Sequence, residues 1–124
     1  MNVVLWIVTI VLALGFLAAG TLKVARTRDQ LRATGLAWVE DFSPGMVKLI
    51  GTAEILGAIG LIVPALVDVA PILVPIAATA LAVVMIGAVA THVRRHELNA
   101  LAPPVVLLVL SVVVAIFRFG PNSF

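Results

Sequence analysis

Three ionisable residues interrupt runs that are otherwise apolar: Lys23, Glu54 and His92. An ammonium, a carboxyl group and an imidazole can together balance charge, exchange protons and hydrogen-bond a carbonyl oxygen. In an apolar medium each is costly unless it faces a partner or a polar cavity. Glu54 lies about 10 Å past Met46–Lys48, where its run begins, counted at the helical rise per residue. From that depth it needs a partner or a proton. Lys23 and His92 lie near the ends of their runs, where snorkelling into headgroups is the plain alternative.

The neighbours place all three on packing faces. Glu54 has Gly51 at i−3, Gly57 at i+3 and Ala58 at i+4; Lys23 has Gly20 and Ala19 behind it; His92 has Ala88 at i−4. Small residues mark the faces where membrane helices approach closely. Lys23, Glu54 and His92 are therefore expected to converge on one ligand-binding or proton-exchange site, with Gly51, Thr21, Thr52 and Thr91 in support. The structural alternative for Glu54 is a protonated carboxyl bonded between helices, or an ion pair with Lys23 that only fixes the bundle. His92 and His96 share the i, i+4 spacing of some metal sites, but beside Arg94 and Arg95 they are read as unmetallated. The catalytic residues, if any, stay unassigned.

These residues must be held by membrane helices. Hydrophobic residues make up 63% of the 124 and charged ones 11%, against roughly 25% charged in a soluble domain. Fourteen charged side chains cannot coat a globule of this size, so lipid is the expected solvent. Apolar runs at about 3–25, 46–66, 72–93 and 103–119 each approach the roughly 20 helical residues that cross a bilayer core. Nothing alternates with period two, which argues against barrel strands. The expected fold is all-α: a four-transmembrane-helix bundle in a single domain, 1–124, with a short interfacial segment between helices 1 and 2. Ala18-Ala19-Gly20 looks like a cleavage site, but the first run lacks a basic start and is too long for a signal peptide. Pro64 and Pro75 are expected to end or kink their helices, whereas Pro71 fits a helix start.

The segment 26–44 carries Leu31, Leu36, Trp38, Val39 and Phe42 among charges, and reads as a stretch lying in the headgroups. Asp29 is its expected cap and Trp38 its aromatic anchor. Basic residues set the orientation. Arg26, Arg28, Arg32, Arg94 and Arg95, with Lys23 and Lys48 at the margins, fall on one side, against Arg118 on the other. Loops 26–45 and 94–102 are thus expected in the cytoplasm and both termini outside, in a bacterial plasma membrane. Lys48, Arg94 and Arg95 read as headgroup anchors, and Asp68 could pair with Arg118. A net charge of +2 does not indicate nucleic acid, and the absence of cysteine excludes disulfides and thiol chemistry by this chain.

Several of these segments resemble one family. Gly20-Thr-Leu-Lys23 is similar to the Gly-x-x-Lys of the DoxX-like family, and Leu49–Pro64, LIGTAEILGAIGLIVP, resembles its second helix. His92 at the end of the third run and the proline-led fourth run also fit, so the resemblance covers about 12–118. It implies a compact four-helix membrane bundle. It also implies an association with membrane redox systems: the family's name comes from a subunit linked to archaeal thiosulfate:quinone oxidoreductase, and actinobacterial relatives are associated with redox and thiol-stress complexes.

Three functions fit the residues. The first is an accessory subunit of a membrane redox system that binds a quinone-like or other lipophilic molecule. The second is a non-enzymatic scaffold, assembly subunit or chaperone of a larger membrane complex. The third is a small proton-coupled transporter. Each would work in the bilayer with other membrane subunits or a second copy.

Overall fold

The computed structural model describes residues 2–124. Four long helices make the body: α1 (Asn2–Ala25), α3 (Pro44–Leu66), α4 (Leu73–Arg94) and α5 (Ala102–Phe119). All four are long and apolar enough to cross a membrane. A short helix, α2 (Arg28–Ala33), and a 3₁₀ turn (Ala37–Asp41) fill the connection between α1 and α3. No strand occurs among the described residues. The expected all-α four-span bundle is what the chain forms.

The spans form a ring in which α1 packs on α3, α3 on α4, α4 on α5, and α5 returns to α1. Inside lie Leu12 and Phe16 of α1, Ala58 and Leu61 of α3, Ala78, Leu81 and Met85 of α4, and Val114 of α5. The outside is as apolar as the inside: Leu14 is 62% exposed, Leu56 63%, Val83 63% and Ile116 61%, one from each span. Water would not tolerate that surface, and lipid does. Because lipid tails are as apolar as leucine, close packing rather than the hydrophobic effect holds such spans together.

Local chemistry sets the boundaries. Thr27, not Asp29, caps α2: its hydroxyl accepts from the Gln30 amide at 3.1 Å while Gln30 Oε1 accepts from the Thr27 amide at 2.9 Å. This reciprocal box satisfies two otherwise free donors, and Asp29 falls within the helix's first turn. Gly35, at φ +99°, supplies the left-handed residue that ends α2. Ser43 caps α3, with Pro44 in the first turn. Pro64 does not end α3, which continues to Leu66. Pro75 falls in the first turn of α4, where its missing N–H has no intrahelical partner to lose.

The expected short segment between the first two spans is present, and it turns apolar side chains onto the bundle. Leu31 and Val39 are buried against Val47 of α3, with Leu22, Leu36, Trp38 and Phe42 packed around them. The segment is a flap folded over one end of the bundle.

One expected charge pair is corrected, and one basic residue gains a protein partner. Lys48 donates to the Val24 carbonyl at 2.8 Å, capping the last turn of α1. Asp68 is exposed and does not pair with Arg118. That guanidinium is buried, donating from Nη1 to Asn2 Oδ1 and to the Asn122 carbonyl, both at 2.8 Å. The ring of Phe124 stacks 4.0 Å away.

Candidate functional site

The site is built where α1 crosses α3. A Cβ placed on Gly20 would lie 2.6 Å from the Gly51 carbonyl oxygen, and one on Gly51 2.7 Å from the Lys23 Cβ. Only glycine permits that approach. One turn further along each helix, the Lys23 Nζ donates to Glu54 Oε1 at 2.6 Å. Glu54 is 1% exposed and Lys23 12%. The acid is thus fully enclosed, and its cation reaches it from the flap end.

His92 lies on the same cleft but takes a different partner. Its Nδ1 is 3.0 Å from Glu97 Oε1. A carboxylate can only accept, so Nδ1 carries the proton and Nε2 is left for the cleft. Glu97 is held in turn by Arg95, whose Nε is 3.4 Å away. Arg95 also donates to Asp41 Oδ1 at 2.7 Å, which ties the flap to the α4–α5 connection. Burial works against the Arg95 charge, but Asp41 and Glu97 outweigh it and hold its pKa above the usual arginine value. Arg95 is therefore a tether between the flap and that connection. Trp38 also takes protein partners: Lys23 Nζ sits 5.6 Å from its ring centre, and Phe42 packs edge-on against the ring.

Together these groups border a cleft of about 560 Å³. Lys23, Glu54, Thr91, His92 and Arg94 give it polar points, Trp38 and Phe42 line its flap end, and Ala19, Met85 and Leu107 are part of its apolar wall. The volume and the mix of apolar walls with few polar points are those of a small-molecule pocket.

The structure thus brings Lys23, Glu54, His92 and Thr91 to one cleft, with Gly51 at the helix crossing that positions two of them. Thr91 is buried and its hydroxyl turns back to the Gly87 carbonyl at 2.8 Å. Thr21 and Thr52 are not brought there. Both are exposed, and the Thr52 hydroxyl bonds the Lys48 carbonyl at 2.8 Å. His96 also leaves the face of His92, because α4 ends at Arg94 and His96 has φ +58°. Glu97, Asp41 and the inward role of Trp38 were not foreseen from sequence. Glu97 meets His92 only because the chain reverses at the left-handed His96.

A family model described as the DoxX-like family matches residues 7–114, most of the chain. The chain belongs to the DoxX-like family. It is a small integral membrane protein, consistent with its four apolar spans. No curated protein and no solved structure matches it. The sequence resemblance to this DoxX-like family is confirmed, and both motifs that carried it, Gly20–Lys23 and the second-helix segment around Glu54, meet at the α1–α3 crossing.

The tether gives the first testable consequence for this DoxX-like protein. Arg95→Met removes the cation shared by Asp41 and Glu97. Ion pairs in contact with water contribute little to overall stability, so the spans should keep theirs. Amide exchange over residues 36–43 should quicken selectively, and unchanged exchange there would show that apolar packing alone holds the flap.

Proposed function

We propose that this protein is an accessory subunit of a membrane redox system that binds a quinone-like molecule in the cleft beside Glu54. The observation that carries the reading is a buried Lys23–Glu54 pair on the wall of a largely apolar cavity. A quinone head needs hydrogen-bond donors at its carbonyl oxygens and a source of protons on reduction. The Lys23 ammonium can stabilise a developing oxyanion, and His92 Nε2 can donate when the ring is protonated. Glu97 accepts from Nδ1 and so stabilises the doubly protonated ring, which leaves Nε2 as the atom that gives up its proton and takes one back. Electrons would come from a partner subunit, since the reading gives this chain the ligand and the protons only.

The arginines at the flap end favour a cytoplasmic flap, with both termini outside a bacterial plasma membrane. The second reading, a scaffold or assembly subunit, is favoured by the extensive exposed apolar surface that a larger complex could cover.

Decylubiquinone added to nanodisc-embedded protein should quench Trp38 fluorescence saturably in a Trp6→Phe background, since Trp38 borders the cleft. His92→Ala should weaken that binding about tenfold, the loss of one hydrogen bond of roughly 1–1.5 kcal/mol. Quenching that rises only linearly with quinone in the bilayer, with or without His92, would defeat the redox reading and favour the scaffold.

A further inference from the structure

We infer that the cleft exchanges its occupant sideways with the bilayer, through a gap between α3 and α4 beside Gly87, and not with water through the flap. The inference rests on the ligand reading above and identifies the ligand class as a membrane-dissolved molecule with a polar head.

Its two sides differ. On the water side the cleft is lined by Trp38 and Phe42 of the flap. That lid is fixed at several points: Leu31 and Val39 are fully buried beneath it, Arg28 Nη1 donates to the Phe42 carbonyl at 2.9 Å, and Arg95 holds Asp41. On the lipid side nothing comparable covers it. Towards the terminal end, α3 and α4 touch closely: a Cβ on Gly57 would lie 2.6 Å from Leu81, and one on Gly60 3.0 Å from Ala77. The cleft lies on the flap side of that contact. There a Cβ on Gly87 would meet no atom within 4 Å.

The same cleft has a buried end at Met85 and an exposed edge at Val83 and Gly87. Ile50 of α3 forms part of the wall near that edge. It therefore runs from the bundle interior to the lipid-facing surface. A molecule with an apolar body could remain in the acyl chains while its head moved inward to Lys23 and His92. No hydrated intermediate is needed, and the flap need not open.

The test measures how fast decylubiquinone quenches Trp38 in nanodiscs, again with Trp6→Phe. Gly87→Phe fills the gap and should slow the saturable phase about tenfold, the scale on which an added steric step lowers association. Val83→Phe, on the same edge, should act in the same direction and guards against a folding defect peculiar to position 87. Ile86→Phe, on an exposed residue outside the cleft lining, should leave the rate unchanged, as should Asp41→Asn, which loosens only the lid. Faster quenching in Asp41→Asn, with no slowing by Gly87→Phe or Val83→Phe, would overturn the lateral route and leave ligand binding intact. Absence of a saturable phase in the parent would overturn the ligand reading, and the route with it.

Discussion

Lys23→Met is expected to destabilise the bundle by about 3–5 kcal/mol, the usual loss when one partner of a buried ion pair is removed. Glu54 would stay 1% exposed with no cation within reach. Among the described residues, Lys23 is the only hydrogen-bond donor that its carboxylate meets. Glu54→Gln should cost less. Lys23 lies at the flap end and retains 12% exposure, so its stem can lift the ammonium towards water or the Trp38 ring. The asymmetry follows from depth, not from charge. Combining Lys23→Met with Glu54→Leu removes both desolvated charges at similar volume, and should recover most of the lost stability. Unfolding followed by circular dichroism in nanodiscs would compare all four proteins. A Lys23→Met protein as stable as the parent would mean that the pair is held without consequence for the fold. Recovery of stability in the double variant without recovery of quinone binding would separate the structural role of the pair from the functional one.

How much of this was legible in the sequence depends on where the information sits along the chain. The four spans were readable because each is a continuous apolar run, and the observed bounds differ from the expected ones by at most two residues. The Lys23–Glu54 pair was readable because both residues carry a glycine three positions before them, which marks the same kind of face on both helices. His92 was placed on the right cleft, but its partner was not. Glu97 lies only five residues on, yet a left-handed residue that is not glycine intervenes, and no local pattern announces that His96 adopts φ +58°. The inward packing of the flap was hard to read for a related reason. Leu31, Val39 and Trp38 are as compatible with headgroups as with protein, and only the capped turn at Thr27 and the break at Gly35 aim them inward. Thr21 and Thr52 show the opposite error. Each lies two positions before a site residue, and two positions along a helix are about 200° around it, enough to turn a hydroxyl away from the cleft.

The pair depends on a backbone approach, and a side chain introduced there should damage both the fold and the pair. A methyl group on Gly51 meets the Lys23 Cβ at 2.7 Å and the Gly20 carbonyl at 2.8 Å; one on Gly20 meets the Gly51 carbonyl at 2.6 Å and Ile55 at 2.8 Å. Most of these obstacles are backbone or Cβ atoms, which cannot rotate aside, so α1 and α3 must separate. Overpacking of this kind costs about 1–3 kcal/mol, and Gly51→Leu should lie at or above the top of that range. Separation should also lengthen the Lys23–Glu54 contact, because Lys23 faces Gly51 and Glu54 faces Gly20 across the crossing. Gly51→Ala should therefore weaken quinone binding as well as stability, although position 51 is not part of the cleft wall. Gly45→Ala provides the comparison: it lies on the same helix, and a Cβ there meets no atom within 4 Å, so neither stability nor binding should fall. If Gly51→Ala and Gly45→Ala unfold alike, the crossing is looser than these distances require, and the ammonium is not held against the acid by the meeting of two glycines.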